Sequence, residues 1–155
     1  MPRALDLYDQ EEFYMCLQCA ICTGSCPTAR VVPGYSPRDV ILRYMLYGEQ
    51  DEVLDRAELW CCTTCHACQE RCPHGIRISG LLTHIMNLAA KRGNLPKPMR
   101  DGLKLMAETG WSVPAPARAD RVREELGLKP LKKPDTKEIR AIFREAGLDQ
   151  ILDLP

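Results

Sequence analysis

The stretch "CLQCAICTGSCP" (Cys16 to Pro27) returns as "CTTCHACQERCP" (Cys62 to Pro73), offset by 46 residues. Both copies read C-x2-C-x2-C-x3-C-P, so Cys16, Cys19, Cys22 and Cys26 correspond to Cys62, Cys65, Cys68 and Cys72. No other feature restricts the fold as much: each copy packs four thiols into eleven residues, which requires a tight loop, and the chain must hold two such loops. Nine cysteines in 155 residues is a strong enrichment, but the number is odd and they crowd into two short stretches. A secreted disulfide framework has neither property, so the pattern favours metal. Cys61 is the one thiol outside the repeat.

Four readings compete for "WCCTTCHACQERCPHG" (Trp60 to Gly75). Structural zinc takes four ligands, usually from two C-x2-C knuckles separated by roughly a dozen residues or more, a spacing these compact loops lack. A covalent c-type haem would use Cys62, Cys65 and His66, but the residue matching His66 in the first copy is Ala20, and haem attachment expects export. A redox dithiol wants a βαβ setting, and no alternating run here is long enough for a strand. The iron-sulfur reading uses every repeated cysteine. Three cysteines spaced by two place thiolates at three corners of one cubane, and the fourth, just before proline, is carried to the other cluster, as in bacterial ferredoxins.

The spacing therefore predicts two 4Fe-4S clusters with crossed ligation. Cys16, Cys19, Cys22 and Cys72 are expected to hold the first, and Cys62, Cys65, Cys68 and Cys26 the second. Crossed ligation brings the clusters close together and couples cluster loading to folding. His66 and His74 read as loop residues beside the cluster, with a tuning hydrogen bond as the alternative. Cys61 reads as a packing residue, and so do Trp60 and Trp111, for which shielding a cluster is the alternative role.

Each cysteine loop leads into a helical pattern. After the first, Ser36 is placed to cap a helix with Pro37 at its first position, and Val40, Ile41, Tyr44, Met45 and Tyr47 recur at helical spacing until Gly48. After the second, Ser79 is placed to cap a run bearing Leu81, Leu82, Ile85, Met86, Leu88 and Ala89, which ends near Gly93. Asp9 with Glu12 fits a capping box ahead of Cys16, and "GEQDEVLDRAELW" reads as short helical turns leading to Cys61 and Cys62. The expected architecture is all-α: two pseudo-symmetric helix, cysteine-loop, helix repeats over residues 1–110.

Residues 111–155 read differently. "WSVPAPARAD" and "LGLKPLKKPD" are rich in proline and are expected to be extended. Asp135 with Glu138 is placed to cap an amphipathic helix bearing Ile139, Ile142 and Phe143, followed by Leu148, Ile151 and Leu152. That many apolar residues on a linker-like tail point to docking on another protein of a complex.

Charge narrows the partners. Lys and Arg number 21 and so do Asp and Glu, so no net field draws in nucleic acid or an anionic membrane. "VILRYMLYG" and "GLLTHIMNLAA" are too short and too interrupted to cross a bilayer, so no direct membrane insertion is expected. "MPRALDLYDQEEF" lacks a basic region followed by an apolar core, which gives a cytoplasmic expectation. No Gly-rich phosphate loop follows a strand, so no flavin or nicotinamide site is indicated.

The paired motifs, with "SPRDVILRYMLYG" between them and "LWCCTTCHACQERCP", resemble the iron-sulfur C subunit of heterodisulfide reductase over roughly Leu5 to Arg92. The resemblance implies an α-helical ferredoxin fold, similar to the second domain of succinate dehydrogenase and fumarate reductase iron-sulfur subunits. It also implies the electron-transfer component of an oxidoreductase complex, with two 4Fe-4S clusters and no catalytic site of its own. In that family the C subunit passes electrons from a flavin-containing, iron-sulfur A subunit toward the B subunit, whose cysteine-rich CCG motifs carry the disulfide chemistry. Alternatives are the iron-sulfur subunit of a succinate or fumarate type dehydrogenase, of a glycolate or glycerol-phosphate type, or a zinc-binding interaction module. The first expects a plant-type ferredoxin domain ahead of the helical one, and only 15 residues precede Cys16. The second is often fused to CCG domains, and no cysteine follows Cys72.

Overall fold

Helix-forming runs punctuated by cysteine loops give a helical chain. The computed structural model describes residues 13–113, 117–132 and 134–153, and among them there is no strand. The all-α expectation is met. The chain divides into two compact units, Met1–Asn94 and Leu95–Pro155.

The first unit contains α1 (Ile21–Gly24), α2 (Pro37–Ile41), α3 (Gln50–Asp55), α4 (Ala67–Glu70) and α5 (Ile78–Lys91). Short 3-10 turns at Thr28–Arg30 and Ala57–Cys61 link them, and a π turn, Leu42–Leu46, extends α2. Ser36 starts α2 as its residue type predicts: its backbone is extended, its Oγ accepts from the Asp39 amide at 3.2 Å, and Pro37 follows. The π turn closes through the Tyr47 amide on the Leu42 carbonyl at 2.9 Å. One residue too many then fits into the turn. Val40, Ile41, Tyr44 and Met45 stay buried, but Tyr47, which the sequence pattern places on the same stripe, is 66% exposed.

Helix α5 forms the floor of the unit. Its Leu81, Leu82, Ile85, Met86 and Ala89 are buried with Phe13, Val53, Leu54, Leu59, Ile76 and Ile78. Each large aliphatic side chain so buried contributes about 1.5–3 kcal/mol. The helix begins earlier than a Ser79 cap predicts, at Ile78 with Arg77 as its flanking residue. Ser79 is buried inside the first turn because its hydroxyl is bonded to the preceding cysteine loop. The Asn94 backbone amide closes the C-terminal turn on the Ala89 carbonyl at 2.9 Å, and its side-chain amide donates to the Leu54 carbonyl at 2.7 Å.

An ionic clamp fixes the α2 region. Asp39 accepts from Arg43 at 3.1 Å and from Arg56 at 2.7 Å, and Arg56 also donates to the Gly34 carbonyl at 3.0 Å. Burial alone would raise the Asp39 carboxyl, but the hydrogen bonds from Arg56 and Arg43 outweigh it and hold the group below the usual carboxylate range. The loop carrying Tyr35 is thereby tied to the helix that follows it.

The second unit contains α6 (Lys97–Thr109), α7 (Ala117–Glu125), α8 (Thr136–Glu145) and α9 (Leu148–Leu152). Ala107, Phe143 and Leu152 form its buried centre, with Leu95, Leu103, Met106, Ile139 and Leu148 packed around them. The sequence boundary at residue 110 assigns α6 to the cysteine domain, whereas the compact units part before Leu95 because α6 packs on α8 and α9. Arg100 Nη1 donates to the Ile151 carbonyl at 2.7 Å, and Arg140 Nε donates to the Ala107 carbonyl at 3.2 Å. Asp135 caps α8 as expected, accepting from the Lys137 amide at 2.8 Å. Gly110 ends α6 at φ +79, where a Cβ would stand 2.5 Å from Pro134 Cβ, so only glycine fits.

One further sequence expectation changes here. "WSVPAPARAD" is not extended throughout: Ala117–Asp120 open α7, because "ARADRVREE" is proline-free and rich in good helix formers. Residues 114–116 lie outside the described residues, as does the capping box of Asp9 and Glu12.

Candidate metal centre

The repeat in sequence is a repeat in backbone conformation. Gln18 and Thr64, 46 residues apart in sequence, have φ of +58 and +51, and Ala20 and His66 both have φ of +61. Side-chain-bearing residues are uncommon in this left-handed region, so its recurrence at matching places is a property of the loop and not of one residue. Alternating left- and right-handed conformations make a concavity of backbone N–H groups suited to an anion. Each loop then turns into its short helix with the same bonds. Gly24 and Glu70 amides reach the Ala20 and His66 carbonyls at 2.8 and 3.1 Å, and Cys26 and Cys72 amides reach the Thr23 and Gln69 carbonyls, both at 3.1 Å.

A serine near the start of the following helix locks each loop. Thr23 Oγ1 and Ser36 Oγ lie 2.9 Å apart. At the matching place in the second loop, Ser79 Oγ donates to Gln69 Oε1 at 2.6 Å. Ser79 also meets His66 Nδ1 at 3.0 Å, and since its only hydrogen goes to Gln69, the imidazole carries the hydrogen on Nδ1 and donates. His66 is therefore a loop-fastening residue, one of the two roles expected for it. The 3-10 turn before the second loop is tied to the first, with Thr28 Oγ1 donating to the Cys61 carbonyl at 3.0 Å. Cys61 is half-buried and Trp60 packs on the core.

The thiols meet across the repeat. Cys16, Cys19 and Cys22 line one small cavity that is partly open to solvent, and Cys72 of the other loop stands in its wall with them. Gln18, Arg38 and His74 stand in the same wall. On the second side, Cys62, Cys22 of the first loop and Cys65 act electrostatically on Cys68, and Cys62, Cys26 and Cys68 act on Tyr35. Tyr35 is 4% exposed, and its Oη meets no partner in good hydrogen-bond geometry, although the Cys62 thiol is near enough to act on it. Burial first, then the neighbouring Cys62, Cys26 and Cys68, push its phenol far up, so it is a donor at any physiological pH. Among the described residues no three His, Cys, Asp or Glu side chains gather closely enough to share a single ion.

Burial differs between the two sets. Each has one exposed thiol, Cys19 or Cys65, but both buried thiols, Cys26 and Cys68, belong to the second set. Burial pushes the Cys22 thiol up, and burial together with Cys62 pushes Cys68 up to about 11. Such thiols are protonated near neutrality, and binding iron has to displace those protons.

Sequence reasoning does not anticipate Tyr35, Gln18 or Arg38. Gln18 Nε2 donates to Cys16 Sγ at 3.3 Å, and Arg38 Nε donates to Gln18 Oε1 at 2.9 Å. Gln18 sits inside the motif as an unspecified position, and Arg38 reaches it from the first turn of α2, a juxtaposition that exists only after folding.

Comparison with known proteins agrees with this geometry. Residues 12–76 match the family described as "4Fe-4S dicluster domain". The chain is 38% identical over 144 residues to an iron-sulfur C subunit of the CoB–CoM heterodisulfide reductase of Methanocaldococcus jannaschii, covering 88% of this chain and 75% of that one. It is 36% identical over 142 residues to the C subunit of the ferredoxin:CoB–CoM heterodisulfide reductase of Methanosarcina mazei, with 88% and 86% covered. The iron-sulfur C subunit of the Methanopyrus kandleri enzyme is 40% identical over 125 residues, 79% of this chain and 64% of that one. No helix among the described residues is long and apolar enough to cross a membrane. A repeated cysteine loop on a helical scaffold, with these relatives over most of its length, places the chain in the heterodisulfide reductase C-subunit family, the 4Fe-4S electron-transfer component of an oxidoreductase complex.

Proposed function

We propose that the chain relays single electrons between a flavin-containing, iron-sulfur A-like protein and a cysteine-rich, CCG-type B-like protein of one cytoplasmic complex that reduces a disulfide. Cys16, Cys19, Cys22 and Cys72 hold the first 4Fe-4S cluster in this reading, and Cys62, Cys65, Cys68 and Cys26 the second. The observation that carries it is the cavity where three thiols of one loop meet Cys72 of the other. Thiolate donors suit iron-sulfur clusters, and a Tyr35 hydroxyl beside Cys62 with no partner in good hydrogen-bond geometry is what a site built around additional sulfur acceptors would contain.

The clusters supply one-electron chemistry when bound. The residues of this chain do the rest. The left-handed turns at Gln18, Ala20, Thr64 and His66 orient the loops, and the Thr23–Ser36 and Gln69–Ser79 bonds hold them in shape. Crossed ligation keeps the two sites adjacent, as outer-sphere transfer requires. Exposed Met15, Leu17 and Ile21 beside the first cavity offer an apolar surface through which a partner can approach without desolvating charge. In the second unit Ile139, Phe143, Leu148 and Leu152 pack on α6, so docking by that region falls to the apolar residues left exposed, Leu126, Leu128 and Ile142.

The complex purified anaerobically tests the ligand sets. Cys26→Ser is expected to perturb the EPR signal of the cluster that Cys62→Ser removes, and Cys72→Ser the one that Cys16→Ser removes. If Cys26→Ser and Cys16→Ser act on the same signal, the crossed assignment is wrong. Stoichiometric zinc in place of iron would overturn the electron relay itself.

A further inference from the structure

We propose that Gln18, positioned by Arg38, raises the reduction potential of the cluster on Cys16. The inference rests on the ligand assignment above and goes beyond it, since nothing in the repeat motif specifies residue 18.

The two ends of a glutamine side chain have the same shape, so what faces the sulfur is decided by the neighbours. Arg38 has donors and no acceptor, and its Nε points at the Gln18 amide at 2.9 Å. That contact admits only Oε1. The Nε2 end is left to donate to Cys16 Sγ, at 3.3 Å. Arg38 is itself anchored, because it follows the Ser36 cap and Pro37 and its backbone amide donates to Thr23 Oγ1 at 3.3 Å. Arg38 is also one of the residues that line the cavity.

An N–H donor to a ligand sulfur, backed by a fixed positive charge, stabilises the more electron-rich, reduced state. At the matching place the second loop carries no side-chain amide. Its matching residue is Thr64, whose hydroxyl donates to the Thr63 carbonyl at 2.8 Å and is thus turned to its own backbone. Two loops with the same conformation therefore differ in what they offer the thiolate of the first cysteine.

The test is an EPR-monitored redox titration of the anaerobically purified complex. Gln18→Leu should lower the midpoint of the cluster that Cys16→Ser removes and leave the other unchanged. The expected size is about tenfold in the reduction equilibrium, or about 59 mV for one electron. Arg38→Met, which frees the amide without removing it, should give a smaller fall at the same cluster. Unchanged midpoints in both variants at full iron content would overturn the proposal, and so would an equal fall at both clusters. Should Gln18→Leu lose iron, Arg38→Met decides alone. Retention of both clusters by Cys16→Ser would instead overturn the ligand assignment, which separates the two failures.

Discussion

The two compact units of this chain are stabilised by different means. The second has no cysteine and is held by a small apolar centre, Ala107, Phe143 and Leu152, framed by arginine bonds to helix carbonyls. The first has a larger apolar core on α5, but eight repeated thiols lie in or against its loops, where their burial is unfavourable to the thiolates that iron requires. Part of its folding free energy is thus expected to arrive with the metal. Removing iron breaks this comparison most severely. On chelation under reducing conditions, amide exchange should accelerate by orders of magnitude through residues 16–75, while α6, α8 and α9 keep their protection. Equal loss of protection in both units would show that the second depends on the clusters too.

Within the first unit a finer contrast separates the two sites. The first is open, and its polar contact is an amide oriented by a guanidinium. The second is more enclosed, and its polar contact is the buried phenol of Tyr35. Tyr35→Phe should act with opposite signs on the two states of the protein. In the iron-free chain the hydroxyl has no partner in good hydrogen-bond geometry, so its removal is neutral or stabilising by up to about 1 kcal/mol. In the loaded protein it is a donor near Cys62, so its loss should lower the midpoint of the second cluster by a few-fold in the reduction equilibrium and leave the first alone. A fall in iron-free stability together with unchanged midpoints would make Tyr35 a packing residue only.

How much of this is legible in the sequence follows from which interactions are local. The helices after each loop, the Ser36 and Asp135 caps and the buried faces of α2 and α5 can be read because spacing and capping act over a few residues. Crossed grouping of Cys72 with the first three thiols can be expected because the two loops are copies. The π turn that excludes Tyr47 cannot, since it depends on packing around α2 rather than on periodicity. Ser79 misleads because residue type does not fix where a helix begins: Ser79 lies one residue inside the first turn, with its hydroxyl bonded to Gln69. The cysteine unit is shorter than the pattern suggests because α6 is amphipathic in sequence whichever partner it covers. Arg38, Gln18 and Tyr35 carry no signal at all in the motif, because their roles arise from meetings between distant parts of the chain: Arg38 with Gln18, 20 residues apart, and Tyr35 with Cys62 of the other loop.

The smallest effect gives the sharpest comparison of the two loops. Ala20 and His66 share φ of +61, a region that costs a side-chain-bearing residue about 1 kcal/mol or more and costs glycine little. Glycine also loses more conformational freedom on folding, so Ala20→Gly should stabilise the unit by no more than about 0.5–1 kcal/mol. His66→Gly relieves the same strain but removes the imidazole that donates to Ser79, a bond worth about 1 kcal/mol. Its net effect should be near zero or destabilising. Denaturation of the loaded protein, followed through the loss of its iron-sulfur absorbance, measures both variants alike. If His66→Gly stabilised as much as Ala20→Gly, the His66–Ser79 bond would contribute nothing, and the two loops would be equivalent in how they are fastened as well as in how they turn.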